Sequence, residues 1–542
     1  MLLDIKLIKT TSMYCPESAA ASVSTWLNRN YEMMFCRMWG FDFLQEDPGF
    51  PGVIGKRITA GFNEVDMLKL YKIYHGITTN VQQIKHINVV DKIKHELKKG
   101  MPVGVFLHNH EYCFQGADTV QNPVSGFILI IGQENDTFIY LDIGNNILNT
   151  KSLPTKNFLK SEPDMKDNRY ILLCFSVVGN EQKEVTFKDF FLNFKKNIVN
   201  QKNAFESMRS LAECIGTKLN LDYERCDIKE IYYIPLLYNI MQVLRARKLL
   251  SSTLNYIWRK TDNAFVYDLA MEFMWIGGEW NLIWNLLNKS YYIQELSNDK
   301  LQKLQLRIAN KINEIASNEE LLVDKILNHY VNRSDNKLIR YNENEVSSIS
   351  NSDNIIFIDV SNYINNKAFA VDESNNEGAD FTGQGEFFLR CGLPDDNMFG
   401  VDGMRFLLTS NKGFDNILCR NQMIKIPPGN YQRIIFLGCS EWGEGSGQVK
   451  IFYSNGHIEN IFLNLPDWYN NGAIEVTRVW KGQIIGLNHC KDERSLFAVS
   501  YLLNREVEIE KIQLPDTENI HIFAISLEKY GVKQAHENFK VR

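Results

Sequence analysis

Three textures of apolar and polar positions follow one another along the chain. In the first, residues 1–180, Val23, Trp26 and Leu27 repeat along one face after Cys15, and "NEVDMLKLYKIYHG" and "VVDKIKHELKKG" carry the three-four spacing of amphipathic helices. Short apolar runs follow at 102–108, 126–133, 138–142 and 170–178, the longest being "GFILIIGQ" and "YILLCFSVV", and these predict strands. The second texture, 181–340, is a sustained helical pattern such as "LLYNIMQVLRARKLLSSTLNYIW", with Pro235 the one proline from 185 onward. Polar residues 341–354 predict a linker. The third, 355–542, alternates short strand-like runs with Gly, Asn, Asp and Pro, and "YSNGHIENI" predicts a hairpin on an Asn-Gly turn.

The fold class expected from this order is multidomain α+β: a mixed N-terminal domain, a helical companion and an all-β sandwich. A length of 542 residues agrees, because single hydrophobic cores stop growing well below that size. The formal charge of −6 leaves no basic field for tracking phosphates, so nucleic acid is not an expected partner. "MLLDIKLIKTTSMYC" lacks the apolar core and cleavage site of a signal peptide. No apolar run of about 18 residues could span a membrane. The expected location is therefore the cytoplasm. The ten cysteines show no C-x-x-C pair and no zinc spacing, which predicts free thiols and no metal. The glycines of "GEGSG" precede no helix, so no phosphate loop and no cofactor is expected.

The candidate chemistry starts at Cys15. A cysteine heading a helix has its thiolate favoured by the dipole and by free backbone amides, and Pro16 and Ala19 to Ala21 support a helix there. A lone cysteine of this kind is also a common buried residue. Three blocks in order, "YCPESAAASVSTWLNRNYEMMFCRMWGFDF", "LKKGMPVGVFLHNHEYCF" and "SGFILIIGQENDTFIYLDIG", resemble the papain-like N-terminal domain of the butirosin biosynthesis protein H family. The resemblance covers about residues 1–180, and the helical segment to 340 looks like its usual companion.

That resemblance implies a papain-like fold and acyl transfer through a cysteine thioester, from the phosphopantetheine arm of an acyl or peptidyl carrier protein to an amine, in natural-product biosynthesis. Cys15 matches the nucleophile and Asp142 the acid that orients a histidine. Where the family has that histidine, this chain has Ser125 and Gly126, so the triad is incomplete. Antiparallel pairing of 102–107 with 126–131 would bring His108 beside the gap, with His110 two residues further on. The alternatives are a non-catalytic binding or scaffold protein that recruits a carrier protein or glycan, and a cysteine peptidase.

The C-terminal run "YSNGHIENIFLNLPDW", with its flanking strands, looks like the jelly-roll, galactose-binding-like modules of carbohydrate-active enzymes. Trp442, Trp468 and Tyr469, with Trp480 in reserve, are the residues that would stack on a sugar. Trp468 also reads as an aromatic packed at a strand end. A sugar-containing acceptor would reconcile such a module with an acyltransferase.

Overall fold

Helix α1 (Cys15–Trp26) begins with Pro16 in its first turn, where a missing N–H leaves no acceptor unserved, and Glu17 turns back to accept the Tyr14 N–H at 2.8 Å. In the computed structural model the described residues are 2–529 apart from 9, 11, 46–51, 61–63, 108–125, 145–146, 160–168, 201–202, 227, 229–230, 293–297, 333–353, 395, 402, 470–475, 487–490 and 504–506. After α1 come the paired short strands β1 (Asp42–Phe43) and β2 (Ile58–Thr59), then α2 (Glu64–His75), β3 (Ile77–Lys85) and α3 (His86–Lys98). The run β4 (Val103–Leu107), β5 (Gly126–Glu134), β6 (Thr137–Asp142), β7 (Ile147–Pro154), short α4 (Thr155–Phe158) and β8 (Arg169–Val177) completes this region.

Its strands form one antiparallel sheet in the order β3-β8-β4-β5-β6-β7. Both faces of β5 are buried. Phe127, Leu129 and Ile131 pack with Ala19 and Val23 of α1, while Ile128 and Ile130 pack with Val89 and Ile93 of α3. A strand covered on both faces reads as the unbroken run "FILII" and not as an alternation. Strand β3 had no apolar run to announce it. It is the sheet's edge, and its only fully buried residue is Ile77, so polar side chains serve there.

The helical region comprises α5 (Phe187–Asn200), α6 (Ala204–Lys218), α7 (Leu221–Arg225), α8 (Pro235–Thr261), α9 (Ala264–Tyr292) and α10 (Asn298–Asn332). Pro235 opens α8, where it costs no hydrogen bond. One apolar core joins Trp39 and Phe41 to Leu211, Ile240, Trp280, Ile312 and Ile326, and Ala246 and Leu249 of α8 reach into the α1 cluster. At its centre Arg247 and Glu319, both fully buried, lie 2.8 Å apart. Glu319 also accepts the indole N–H of Trp39 at 2.9 Å and of Trp280 at 3.1 Å.

A β-sandwich follows, built from β9 (Ile355–Phe357), β10 (Phe369–Ala370), β11 (Phe387–Leu389), β12 (Met398–Val401), β13 (Met404–Leu407), β14 (Ile417–Leu418) and β15 (Met423–Lys425), then β16 (Tyr431–Ser440), β17 (Gly445–Tyr453), β18 (Ile458–Leu465), β19 (Thr477–Ile485), β20 (Lys491–Leu502), β21 (Ile509–Gln513) and β22 (Ile520–Lys529). The larger sheet runs β10-β11-β19-β20-β16-β22-β14, with β9 also on β22, and the smaller runs β15-β21-β17-β18. Strand β16 alternates between two cores: Ile434 and Phe436 face the smaller sheet's cluster, Ile435 and Leu437 the cluster around Trp468. The β17–β18 hairpin turns at the Asn-Gly pair, with Gly456 at φ +82°. The fold class is thus mixed α+β with a helical region and a C-terminal β-sandwich.

The sandwich seats on α9. Asn281 and Asn285 both donate to the Glu444 carbonyl, the latter at 3.0 Å, and Lys289 meets Glu441 at 3.1 Å. A side chain on Gly278 of α9 would come within about 3.0 Å of Ser446, so this residue allows the close approach. Among the described residues no helix is long and apolar enough to cross a membrane.

Candidate functional site

Two neighbouring places hold the residues singled out above. The first is the head of α1, where Cys15 is partly buried and the turn around it is clamped from α8. Arg245 donates from Nε to the Ser12 carbonyl at 2.9 Å, from Nη1 to Gln242 Oε1 at 2.7 Å and from Nη2 to Glu17 Oε2 at 2.5 Å. Its guanidinium lies 3.4 Å from the centroid of the Tyr14 ring, and Gln242 donates to the Tyr14 hydroxyl. Burial, outweighing the nearby Arg245, pushes the Tyr14 phenol up to about 12, so it stays protonated.

Asp142 ends β6 with its side chain fully buried, opposite Ile128 on β5, and Lys151 Nζ sits 3.2 Å from its Oδ2. The register places Leu107 of β4 directly across from Gly126 of β5, so the antiparallel pairing expected from the sequence is present. His108, next in the chain after Leu107, lies outside the described residues, as do His110 and Ser125. Gly126 itself offers no group to take a proton. The Gly144 amide donates to the Phe127 carbonyl at 3.1 Å, which folds the chain after Asp142 over the start of β5. Among the described residues no cluster of His, Cys, Asp and Glu could hold a metal.

The second place is a cavity of about 570 Å³ between α8, α9 and the sandwich. Trp442, Trp468 and Tyr469 all line it, so tertiary structure brings together the three aromatics marked in the sequence. Their roles differ. Trp468 is 1% exposed and packed against Phe381 and Phe388, which makes it floor and leaves little of it for a ligand. Tyr469 is 51% exposed, with the Arg494 guanidinium 3.2 Å from its ring. Trp442 stands in a loop with φ +59°, pinned by Ser440 Oγ, which accepts the Gly445 N–H at 2.9 Å and donates to the Gly443 carbonyl at 2.7 Å. Trp480 is elsewhere: its indole donates to the Gly392 carbonyl at 3.1 Å.

Sequence reasoning missed the helical wall of this cavity, where Trp284 of α9 stacks with Tyr232 at 5.9 Å and Arg245, Lys248 and Asn288 complete the surface. Nothing in a helical repeat separates a residue that faces a partner sheet from one that faces its own bundle. On the sandwich wall Asp467 accepts the amides of Tyr469, at 2.7 Å, and Gly443. Burial pushes its carboxyl up to about 6 against those hydrogen bonds. Arg245 is common to both places, touching the residues on either side of Cys15 and lining the cavity.

Residues 357–530 match the family model of the AziU2-like beta-sandwich domain. No curated protein matches the chain.

Proposed function

We propose that this chain acts in secondary-metabolite biosynthesis, the setting to which the AziU2-like family is linked, as a papain-like, cysteine-dependent acyl-transfer protein. The observation that carries this reading is the Arg245 clamp, which fixes the Cys15 turn and at the same time forms a wall of the aromatic cavity. In the first step the Cys15 sulfur attacks the carbonyl of a carrier protein's phosphopantetheine thioester; the carrier thiol leaves with the proton and the acyl group stays on Cys15. An acceptor amine then attacks the new thioester, an amide forms, and the thiol regains its proton. A sugar-bearing acceptor suits the cavity, whose Tyr469 and Trp442 supply ring surface and whose Asp467 supplies a polar contact.

The exchange of one thioester for another asks less of a base than amide hydrolysis does. For that reason a site with Gly126 in place of the histidine supports acyl loading better than it supports a peptidase. A second reading, a non-catalytic binding or scaffold protein, draws its support from the Lys151–Asp142 pair, which holds the acid without an imidazole at position 126.

Intact-mass spectrometry of the full chain after exposure to an acyl-N-acetylcysteamine thioester decides between them, run beside Cys15→Ala and His108→Ala. The expected result is one acyl adduct that disappears in Cys15→Ala. No adduct on Cys15 would leave the binding reading in its place, and turnover that depends on His108 would show that a relocated base completes the site.

A further inference from the structure

Lys248 of α8 lines the aromatic cavity and is 6% exposed. Its stem lies against Gly277 of α9, where a side chain would come within 2.8 Å of Lys248 Cγ, so the glycine keeps a slot for the lysine. Across the cavity on the sandwich wall stands Glu444, its Oε2 3.9 Å from Lys248 Nζ, beyond hydrogen-bond reach. Neither side chain makes a hydrogen bond among the described residues. Trp284 Nε1 and Asn288 Oδ1 on the same helical wall are sealed from any occupant, whereas Lys248 Nζ is open to the cavity.

A buried ammonium without hydrogen bonds is costly, so this end of the cavity calls for acceptor oxygens. The surrounding charges narrow the choice. Arg245 is already neutralised by Glu17 at 2.5 Å, which leaves Lys248 as the cation among Glu444, Glu386 and Asp467. With carboxylates in excess, an oxyanion is repelled. An amine cation suits the carboxylates but offers Lys248 no acceptor. A hydroxyl meets both needs, because its oxygen accepts from Lys248 while its hydrogen goes to Glu444. Two neighbouring hydroxyls on one ring serve the ammonium and the carboxylate together.

We propose that Lys248 and Glu444 are the specificity pair of this cavity and hold an uncharged vicinal diol of a sugar ring between α8 and the sandwich, with the Trp442 ring as its apolar surface. This rests on the reading of the cavity as the place of a sugar-bearing acceptor, and names the groups that read the sugar and the part of it they read. The adjacent glycines of α9 set both halves of the pair: Gly277 admits the Lys248 stem, and Gly278 admits Ser446 two residues after Glu444. The pair therefore exists only with the sandwich seated on α9.

The test is isothermal titration of the full chain with methyl glucoside, methyl galactoside and methyl mannoside, up to about 50 mM so that millimolar affinity is seen. Cyclohexanol supplies a ring without the diol, and glucuronate and glucosamine add a charge of either sign. Saturable binding of at least one neutral glycoside is expected, weakened about tenfold or more in Lys248→Met and in Glu444→Gln. Methionine keeps the stem in its slot, and if that variant still melts early, the partly exposed Glu444→Gln decides. Equal binding of cyclohexanol overturns the proposal, as does tighter binding of glucuronate or glucosamine than of the glycosides. Glycoside binding that survives both variants overturns the pair and leaves the sugar-bearing acceptor standing, whereas no binding by any of the three overturns both. Cys15→Ala should bind as the parent does, so failure of acyl loading and failure of this site are read separately.

Discussion

Arg245 Nη2 meets Glu17 Oε2 at 2.5 Å, across 228 positions of sequence, with both side chains almost fully buried. The same guanidinium covers the Tyr14 ring, so α8 grips the chain on either side of Cys15. Removing one partner of such a pair leaves an uncompensated charge. Arg245→Ala should therefore lose about 3–5 kcal/mol in a urea unfolding curve. Replacing both with apolar residues, Arg245→Met with Glu17→Leu, should recover much of the stability while acyl loading of Cys15 stays impaired. Loading at the parental rate in the double variant would show that the clamp does not position the thiol.

The buried Arg247–Glu319 pair is a structural centre and not a chemical one, since the indoles of Trp39 and Trp280 occupy the same carboxylate. Glu319→Ala should cost about 3–5 kcal/mol and lower expression of folded protein. Trp280→Phe removes one donor and should cost about 1–2 kcal/mol by the same measurement, with the fold intact by circular dichroism.

Asp467 makes a signed pH prediction. Burial raises its folded pKa from 3.8 to about 6, so between these values the folded chain holds a proton that the unfolded chain has released. Its contribution is fully present below the lower value and is lost as pH rises through about 6, a change of at most about 3 kcal/mol. Asp467→Asn should flatten that part of the stability profile in denaturant melts at successive pH values. A parental slope in the variant would assign it to another group.

His521 gives a slope of the other sign. It is fully buried, its Nδ1 lies 2.9 Å from Asn416 Oδ1, and burial lowers its pKa below 6.5. Below pH 6.5 the unfolded chain takes up a proton that the folded chain resists, so stability falls as pH falls. In the Asp467→Asn background this decline should become visible, and His521→Gln should reduce it.

Gly126 stands opposite Leu107 at the start of β5, where the expected histidine is missing. If the acyl-transfer reading holds, Gly126→His should restore a proton acceptor beside Asp142 and raise turnover of a loaded acyl group by about 10²-fold or more in single-turnover assays. A folded variant with unchanged turnover would argue for the binding reading.

The local elements were legible in the sequence because their signals are local. The three-four spacing after Cys15 and in 235–261 became α1 and α8, the apolar runs became β4, β5, β6 and β8, and Asn455-Gly456 became a hairpin turn. Such patterns depend only on which face of a helix or strand is covered. Strand β3 escaped because an edge strand needs few apolar residues, and β7 ("ILNTKSLP") escaped for the same reason at the opposite edge.

Tertiary structure alone decided which distant groups meet. Arg245 and Arg247 stand two positions apart on α8 and so leave it on different faces; in the fold both are buried, because Glu17 and Glu319 arrive from other helices to neutralise them. The sequence offers Trp442 and Tyr469 as residues that would stack on a sugar, and only the fold shows that the cavity they line is closed by Trp284 and Tyr232 of the helical region. Periodicity records that a residue is covered and carries no information about the partner that covers it. The clamp on Cys15 and the aromatic cavity are relationships of that second kind, and only packing fixes them.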